Sequence, residues 1–383
     1  MRFWLLISAI FLGFLGIGTV LPALGPHVKH DLRGSDQVVG AVIGTFSLVA
    51  LGSRFFSGPL ADRRGRKITF LTGLLSCAFA GAVYTMPTGL ASAYGGRIFQ
   101  GFGEACLYTG AAAWAVELAG VHRSAQALGY VSSGIWGGIS AGPVIGHWLG
   151  TFGHAAAFQS GAAVAAFGLA LLVREDFRPH RHRDKQGVLS SPLLTAGLAI
   201  GFVNVHYPVI AGFLILFLAQ HGGSGPAAFS TYALVILFSR FFLGRLPDRI
   251  SPAITFYTGL VAMAVGLLVL ASAPRPALAI AAAGLLGFGF SFPFSSVAST
   301  VLRRTPAQKH GSAVGVLSAF YDLFVGAGSL LAGRIADRHG YSAAFLMAAL
   351  ALTGAAVAGP FVFRARTEEI FIAPEGRLET TVR

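Results

Sequence analysis

Stretches of roughly 20 apolar residues recur along the whole chain, each long enough to cross about 30 Å of hydrocarbon as an α-helix. No alternating apolar and polar pattern, typical of membrane strands, competes with them. Of the 383 residues, 54% are hydrophobic and only 11% are charged, which is too few charges to cover a water-soluble globule. The sequence therefore predicts an all-α integral membrane protein.

Twelve membrane spans are predicted from these stretches. They cover residues 3–26, 37–57, 68–87, 89–116, 126–150, 154–173, 192–218, 226–243, 252–272, 275–301, 312–334 and 342–363. The first is interpreted as a retained span, because no small-residue cleavage site of a signal peptide follows it. Cys77 and Cys106 fall inside spans, where they are expected to be small buried hydrophobes and not disulfide or metal ligands.

The Lys and Arg residues concentrate in the connectors on one side of the predicted spans, the side of both termini. Examples are the runs at 63–67 and 181–185. Because cytoplasmic loops are enriched in Lys and Arg, both termini are predicted to be cytoplasmic and the membrane to be the inner membrane. The net charge of +13 is spread over short loops and not over one folded face, which argues against nucleic-acid binding.

The longest polar interruption before the tail falls at mid-chain and divides the protein in two. Residues 1–173 are predicted to form an N-terminal six-helix bundle, 174–191 a cytoplasmic linker and 192–366 a C-terminal six-helix bundle. Residues 367–383 contain several Glu and no apolar period, so they are predicted to be a disordered cytoplasmic tail.

A polar stretch at 53–67 has a degenerate copy at 239–249. The offset is 186 residues, from Asp62 to Asp248, and it also relates Arg54 to Arg240. At the same offset Pro22 corresponds to Pro208, and the Gly-Phe-Gly triplet at 101–103 to that at 287–289. Two parallel repeats of six spans, related by an axis along the membrane normal, are typical of many secondary transporters.

Three separated motifs resemble those of the major facilitator superfamily, and the likeness extends over essentially the whole chain. The family's loop pattern after the second span is matched by Gly58, Asp62, Arg63, Gly65, Arg66 and Lys67. Its fourth-span pattern is matched by Arg97, Gln100, Gly101 and Gly103. Its fifth-span pattern, associated with twelve-span drug/proton antiporters, is matched by Gly138, Gly142, Pro143 and Gly146, whereas His147 stands where that pattern has its last Gly.

The resemblance implies that the polar stretch closes the cytoplasmic side while the transporter faces outward. The gating candidates are Arg54, Gly58, Asp62, Arg63, Gly65, Arg66, Arg240 and Asp248. The alternative is that these charges only set the topology. The small residues of the fifth-span motif let a neighbouring helix approach closely, so that Gly138, Gly142, Pro143 and Gly146 are assigned to helix packing.

Arg97 and Glu104 lie seven residues apart on the fourth span, about 10.5 Å along one helix face. Gln100 lies between them, so a hydrogen-bonded ladder is possible. Ionisable residues deep in a span usually face a cavity or a partner. Glu104 is therefore a candidate proton carrier, and Arg97 and Gln100 are candidate cavity residues. A purely structural Arg–Glu pair is the alternative.

Asp322, on the eleventh span, is the other acid deep in an apolar helix, and its counterpart in the first repeat is Trp136. It is a candidate proton carrier, with a latch partner of the polar stretch or a structural pair as the alternatives.

On the seventh span Asn204, His206 and Tyr207 immediately precede Pro208, which frees a backbone carbonyl and permits an unwound turn. All three are candidate cavity residues. His206 is also a proton-coupling candidate, because imidazole titrates near neutral pH, and a packing role is its alternative.

Phe290 and Phe294 on the tenth span supply apolar rings, with Tyr108 of the fourth span predicted opposite them. A cavity that is polar on one wall and aromatic on the other suits a small amphipathic or lipophilic solute.

The sequence is thus interpreted as a monomeric secondary active transporter that works by alternating access. Proton-coupled efflux of such solutes is predicted, and proton-coupled uptake of a polar metabolite by a symporter is the alternative. An integral-membrane enzyme is a remote alternative, because such an enzyme would need clustered acids. Glu104 and Glu117 are thirteen residues apart, and no other two acids lie near each other in one span. The expected partners are the solute, protons and membrane lipids. The proton gradient is the predicted energy source, without a metal or cofactor.

Overall fold

The computed structural model describes residues 1–120, 123–175, 190–243, 250–272, 275–305 and 310–364, and all regular elements in these ranges are helices. The N-terminal half contains α1 (Arg2–Pro26), a π-helical turn (His27–Asp31), α2 (Asp36–Arg64), α3 (Arg66–Tyr84), α4 (Leu90–Ala119), α5 (Ser124–Leu149) and α6 (Phe152–Leu171). The C-terminal half contains α7a (Ser191–Asn204), α7b (His206–Gln220), α8 (Gly225–Leu243), α9 (Pro252–Ala271), α10a (Pro276–Phe290), α10b (Pro293–Arg303), α11 (His310–His339) and α12 (Tyr341–Arg364).

Each predicted span corresponds to one helix or one interrupted helix. Among the described residues, ten of these units are long and apolar enough to cross a membrane. The remaining two, α4 and α5, have 30 and 26 residues and are therefore also long enough to span. Most of the predicted linker and the whole predicted tail lie outside the described residues.

The polar stretch 53–67 is more helical than its Gly and Pro content predicts. α2 continues through Gly58 and Pro59 to Arg64, and the chain turns only at Gly65, whose φ of 110° favours glycine. Glu175 stabilises the turn, because its Oε1 accepts hydrogen bonds from the backbone N–H groups of Arg66 (2.6 Å) and Lys67 (3.1 Å). A carboxylate at the start of α3 also meets the positive end of the helix dipole.

Two helices are interrupted near the middle of the bundle. The break in the seventh span lies at Val205, three residues before Pro208, as expected for a ring that lacks an N–H group. The break in the tenth span covers Ser291 and Phe292, directly before Pro293. Val205 keeps right-handed helical dihedral angles (φ −58°, ψ −28°), so the seventh span is interrupted locally without the unwound turn predicted from Pro208.

Helix packing repeats between the two halves. In the first half α1 packs on α5 and α6, α3 packs on α4 and α6, and α2 packs on α4. In the second half α7a packs on α11 and α12, α9 packs on α10a and α12, and α8 packs on α10a. Each pair in one half has its counterpart six spans later. The chain is thus two parallel-related six-helix bundles, which meet mainly through α2 with α11 and α5 with α8.

The bundles are in closest contact on one side of the membrane. We call the side where α2 ends and α3 begins the basic side, and the other the opposite side. On the opposite side a Cβ on Gly40 of α2 would lie 2.5 Å from the carbonyl oxygen of Ser329 on α11 and 2.7 Å from Cα of Gly333. Near the basic side, a Cβ on Gly58 or Gly315 would have no atom within 4 Å. The interface is therefore closed on the opposite side.

The glycines of the fifth-span motif pack against α1, in agreement with their assignment to helix packing. A Cβ on Gly138 would lie 2.5 Å from the backbone oxygen of Phe11 and 2.7 Å from the nitrogen of Leu15. Gly142 and Gly146 meet the backbone of α1 at Gly18 and Thr19 in the same way. The small residues thus allow two helices of one bundle to touch along their backbones.

Gly138→Ala is expected to destabilise the protein by about 1–3 kcal/mol, because α1 and α5 must separate to admit the methyl group. Gly129→Ala is the matched control, since it lies on the same helix and its Cβ would meet no atom within 4 Å. Thermal unfolding of both purified variants in detergent tests this expectation. Equal melting temperatures for the two variants would contradict it.

Candidate functional site

A cavity of about 80 Å³ lies between the two bundles. Its charged lining residues are Arg54, Arg97, Glu104 and Asp322. Its aromatic and aliphatic lining comes from α1, α2, α4, α5, α7b, α10b and α11, and consists mainly of Phe14, Ile17, Leu21, Ile43, Phe46, Tyr108, Ile135, Trp136, Ile139, Tyr207, Phe294, Tyr321 and Val325. An apolar enclosure with a few convergent charges is typical of a site for a small organic ligand.

The charged centre of the cavity joins the two bundles. Arg54 of α2 donates from Nε and from Nη2 to Oδ2 of Asp322 on α11, each at 2.7 Å. Nη2 of Arg54 also lies 3.6 Å from Oε2 of Glu104 on α4. That Glu104 oxygen is buried and has no hydrogen-bond partner among the described residues. One guanidinium is therefore shared by two buried carboxylates, one from each bundle.

A second contact crosses the interface beside this centre. Ser318 of α11 donates its hydroxyl hydrogen to the Tyr108 hydroxyl at 3.1 Å. The Tyr108 ring lies 5.0 Å below the guanidinium carbon of Arg54. Tyr108 therefore lines the cavity as predicted, and it also contacts α11.

The predicted ladder on the fourth span forms only in part. Arg97 donates to Oε1 of Gln100 at 2.6 Å and to the Ile43 carbonyl at 3.3 Å. Gln100 donates to Gln159 at 2.9 Å and does not line the cavity. Glu104 turns instead toward Arg54, so the structural Arg97–Glu104 pair considered from the sequence is absent from the described residues. The physical reason is the salt bridge that α2 offers to Glu104 across the helix face.

The seventh-span candidates divide between the cavity and the wall behind it. Tyr207 lines the cavity. Asn204 is buried and donates to the Ile200 carbonyl at 2.7 Å. His206 donates from Nδ1 to the Val203 carbonyl at 2.7 Å, and its Nε2 lies 3.0 Å from the Tyr232 hydroxyl. Asn204 and His206 thus do not line the cavity, because the break at Val205 turns them toward their own bundle.

A smaller recess of about 20 Å³ continues from the cavity toward α8. It shares Leu21, Trp136, Ile139 and Tyr207 with the cavity and is otherwise lined by Ser140, Pro143, Phe229, Tyr232, Ala233, Ile236 and Phe290. The predicted aromatic wall of the tenth span is therefore divided, with Phe294 in the cavity and Phe290 in the recess. Arg240 lies behind this wall, 4.0 Å above the Trp136 ring centroid.

The remaining gating candidates lie at the basic end, away from the cavity. Asp62 and Arg63 are exposed and form no ion pair with another described residue. Arg66 pairs with Glu117 of α4, within one bundle. Asp248 lies outside the described residues. In this conformation Arg54 is the residue of the stretch 53–67 that contacts the other bundle through an ion pair.

Sequence reasoning missed several residues of the site. Trp136 was considered only as the repeat counterpart of Asp322, yet it lines both the cavity and the recess. Tyr321 directly precedes Asp322 and was not among the candidates, and it too lines the cavity. The cavity walls predicted from spans four, seven and ten also require α1, α2, α5 and α11. The 186-residue repeat could have identified Trp136. If Arg54 contacts Asp322, the repeat predicts the equivalent contact between Arg240 and Trp136.

The described residues contain no group of three or more His, Cys, Asp or Glu side chains placed to hold a metal ion. Cys77 and Cys106 are both buried and free.

Two six-helix bundles around a central cavity define a secondary transporter. The model of the Major Facilitator Superfamily matches residues 6–323 and again 209–380. The chain belongs to this superfamily, and it is a transporter and not an enzyme.

Its relatives cover nearly the whole chain. STM4428, an MFS-type transporter of Salmonella typhimurium, is 29% identical over 365 residues, which are 91% of this chain and 94% of that protein. An MFS-type transporter of Burkholderia mallei is 27% identical over 360 residues, which are 90% of this chain and 88% of that protein.

Two solved structures share the fold. The human organic anion transporter MFSD10 has a TM-score of 0.73 at 17% identity, covering 94% of this chain and 98% of its own. A mutant of the nucleoside transporter NupG has a TM-score of 0.77 at 14% identity, covering 95% and 100%. At these identities the likeness concerns the fold alone.

Proposed function

We propose that the protein exports small amphipathic or lipophilic organic molecules in exchange for protons. The observation that carries this proposal is the charged centre, where Arg54 bridges Asp322 of one bundle and Glu104 of the other inside the cavity. Two buried acids that share one cation are suited to carry a proton. Each uptake or release of a proton changes the net charge of the group formed by Arg54, Asp322 and Glu104 by one. The driving force is the proton gradient, and no bound cofactor is needed.

The position of the ion pair links proton binding to the gate. The bond between Arg54 and Asp322 joins α2 to α11 on the basic-side half of the interface. A proton on Glu104 neutralises the second carboxylate and leaves Arg54 to pair with Asp322 alone. The proton therefore changes the charge at the contact between α2 and α11, which couples proton binding to the movement of the two bundles. We place the basic side in the cytoplasm of a bacterial inner membrane, with both termini there, because of its Lys and Arg residues.

The direction of transport depends on whether the solute binds after the proton has left the charged centre or together with the proton. In an exporter, the solute binds from the basic side as the proton leaves, and a proton from the other side resets the cavity. An uptake symporter uses the same ion pair but binds solute and proton together from the opposite side. The largely aromatic lining and the fifth-span motif favour export of an apolar solute.

We further propose that residues 1–173 and 192–366 act as two rigid bundles of a monomer joined by the linker 174–191. The names of the structural neighbours do not choose a solute, since one is described as an organic anion transporter and the other as a nucleoside transporter. The cavity chemistry therefore has to supply the substrate class.

Everted membrane vesicles with an acidic lumen test the direction. Solutes added outside face the basic side, and we expect exported solutes to discharge the pH gradient, followed with a pH-sensitive dye. Vesicles from cells without the protein are the control. If a solute discharges the gradient only when it is loaded into the lumen, the protein is an uptake symporter and the export proposal fails.

A further inference from the structure

Arg240 of α8 is a half-buried cation that forms no hydrogen bond or ion pair with another described residue. Its guanidinium carbon lies 4.0 Å from the ring centroid of Trp136 and 5.6 Å from that of Phe290. Its Nε and Nη2 atoms are both buried and donate no hydrogen bond to another described residue. No carboxylate in that part of the chain forms an ion pair with it.

Comparison of the two repeats shows which contact Arg240 lacks. Arg54 and Arg240 are related by the 186-residue offset, and so are Trp136 and Asp322. The two helix pairs that join the bundles, α2 with α11 and α5 with α8, are related in the same way. Arg54 meets the Asp322 carboxylate at 2.7 Å, whereas Arg240 meets an indole ring at the equivalent place. One of two equivalent guanidinium sites thus lacks its anion.

The aromatic rings do not replace that anion. A cation over a ring face gains part of the energy lost on leaving water, but the N–H groups at the edge of the guanidinium stay unpaired. Buried charges are otherwise paired, because an unpaired buried charge is strongly unfavourable. Arg240 is therefore ready to receive a carboxylate-like group.

The charge of the whole centre points the same way. Arg54, Arg97 and Arg240 are the guanidinium groups in and beside the cavity, and Glu104 and Asp322 are its carboxylates. Arg97 is only 2% exposed and binds the neutral Gln100 and a carbonyl oxygen. Even with both acids ionised, the centre keeps an excess of positive charge.

We propose that the solute is an organic anion with an aromatic or apolar body, and that Arg240 binds its carboxylate or sulfonate group. Trp136, which lines the cavity and lies against the Arg240 guanidinium, contacts the apolar body. This inference refines the solute class of the proposed exporter and rests on that proposal for transport, although binding itself does not depend on proton coupling.

Three naphthalene probes with the same ring test the charge of the ligand: 2-naphthoate, 2-naphthamide and 2-naphthylmethylammonium. We expect only 2-naphthoate to raise the melting temperature of the purified full chain, because a ligand of the folded state stabilises by mass action. Its Kd is expected to rise on the order of 10-fold or more in Arg240→Gln, where the charged hydrogen bonds are lost. Arg275→Gln, at an exposed arginine on the opposite side, is the matched control.

Trp136→Asp provides the reciprocal test. It places a carboxylate at the repeat equivalent of Asp322, where it can pair with Arg240 and occupy the anion site from within the protein. We expect 2-naphthoate binding to fall below that of Trp136→Asn, which removes the same ring without adding a charge, while unliganded Trp136→Asp melts at a higher temperature than Trp136→Asn. This second variant keeps the proposal testable if Arg240→Gln does not fold.

Equal stabilisation by the neutral or cationic probe, no stabilisation by 2-naphthoate, or an unchanged 2-naphthoate Kd in Arg240→Gln would each overturn the proposal. The vesicle assay separates this failure from that of the transport proposal. Proton exchange with neutral or cationic solutes and no 2-naphthoate binding would refute the anion site alone. Binding of 2-naphthoate without proton exchange would refute proton coupling alone.

Discussion

Glu104→Gln is expected to abolish proton-driven transport while solute exchange continues. Glutamine keeps the size and the polarity of the side chain but cannot take up or release a proton. Because the coupling between two ligands of one protein is lost with the group that links them, we expect proton-driven accumulation to fall on the order of 100-fold. Solute counterflow in proteoliposomes needs no proton and should persist. Accumulation and counterflow measured side by side provide the test.

Glu117→Gln is the matched control for this substitution. Glu117 lies on the same helix but pairs with Arg66 at the basic end, outside the cavity. We expect its transport to keep the pH dependence of the wild type. If Glu104→Gln also keeps that pH dependence, then Glu104 is not the proton carrier, and the remaining cavity acid, Asp322, takes its place.

The largest loss of stability is expected for Arg54→Met. This substitution leaves Asp322 and Glu104 buried without their shared cation, and breaking a buried ion pair in this way costs about 3–5 kcal/mol. The double variant Arg54→Met/Asp322→Leu should recover part of this loss, since it removes one of the two stranded charges. Equilibrium unfolding in mixed micelles compares the single and double variants.

Arg63→Met is the control for the loss of an arginine as such, because Arg63 is exposed near the end of the same helix. Its unfolding free energy should stay close to that of the wild type. A double variant whose destabilisation equals the sum of the two single variants would show that Arg54 and Asp322 do not interact, contrary to the structure.

The sequence predicted the helical architecture well because lipid imposes it directly. A run of apolar residues between polar connectors determines where a span begins and ends, so the predicted span 226–243 differs from α8 by one residue at its start. The internal repeat was equally informative, since Arg54 and Arg240 occupy equivalent places at the two bundle interfaces. The extent of α2 was predicted less well, because the predicted span ends at residue 57 whereas the helix continues through Gly58 and Pro59 to Arg64.

The charged centre could be predicted only as a set of residues and not as a set of contacts. Glu104 and Asp322 were identified from their depth in apolar helices, but the bond between Arg54 and Asp322 joins residues 268 positions apart. That contact depends on how α2 crosses α11, which no local spacing determines. The orientation of the His206 side chain could not be predicted either, since it depends on how the helix rotates across the break at Val205.

The backbone contact between α2 and α11 on the opposite side has a consequence for how tightly the protein seals. Gly40 meets Ser329 and Gly333 without an intervening side chain, and Tyr341 donates a hydrogen bond to Asp36 at 2.8 Å beside it. Rotation of a single side chain cannot open such a seam, because backbone atoms of the two helices meet there directly. This side opens only when the two bundles separate. A transporter without bound solute is therefore not expected to dissipate the proton gradient.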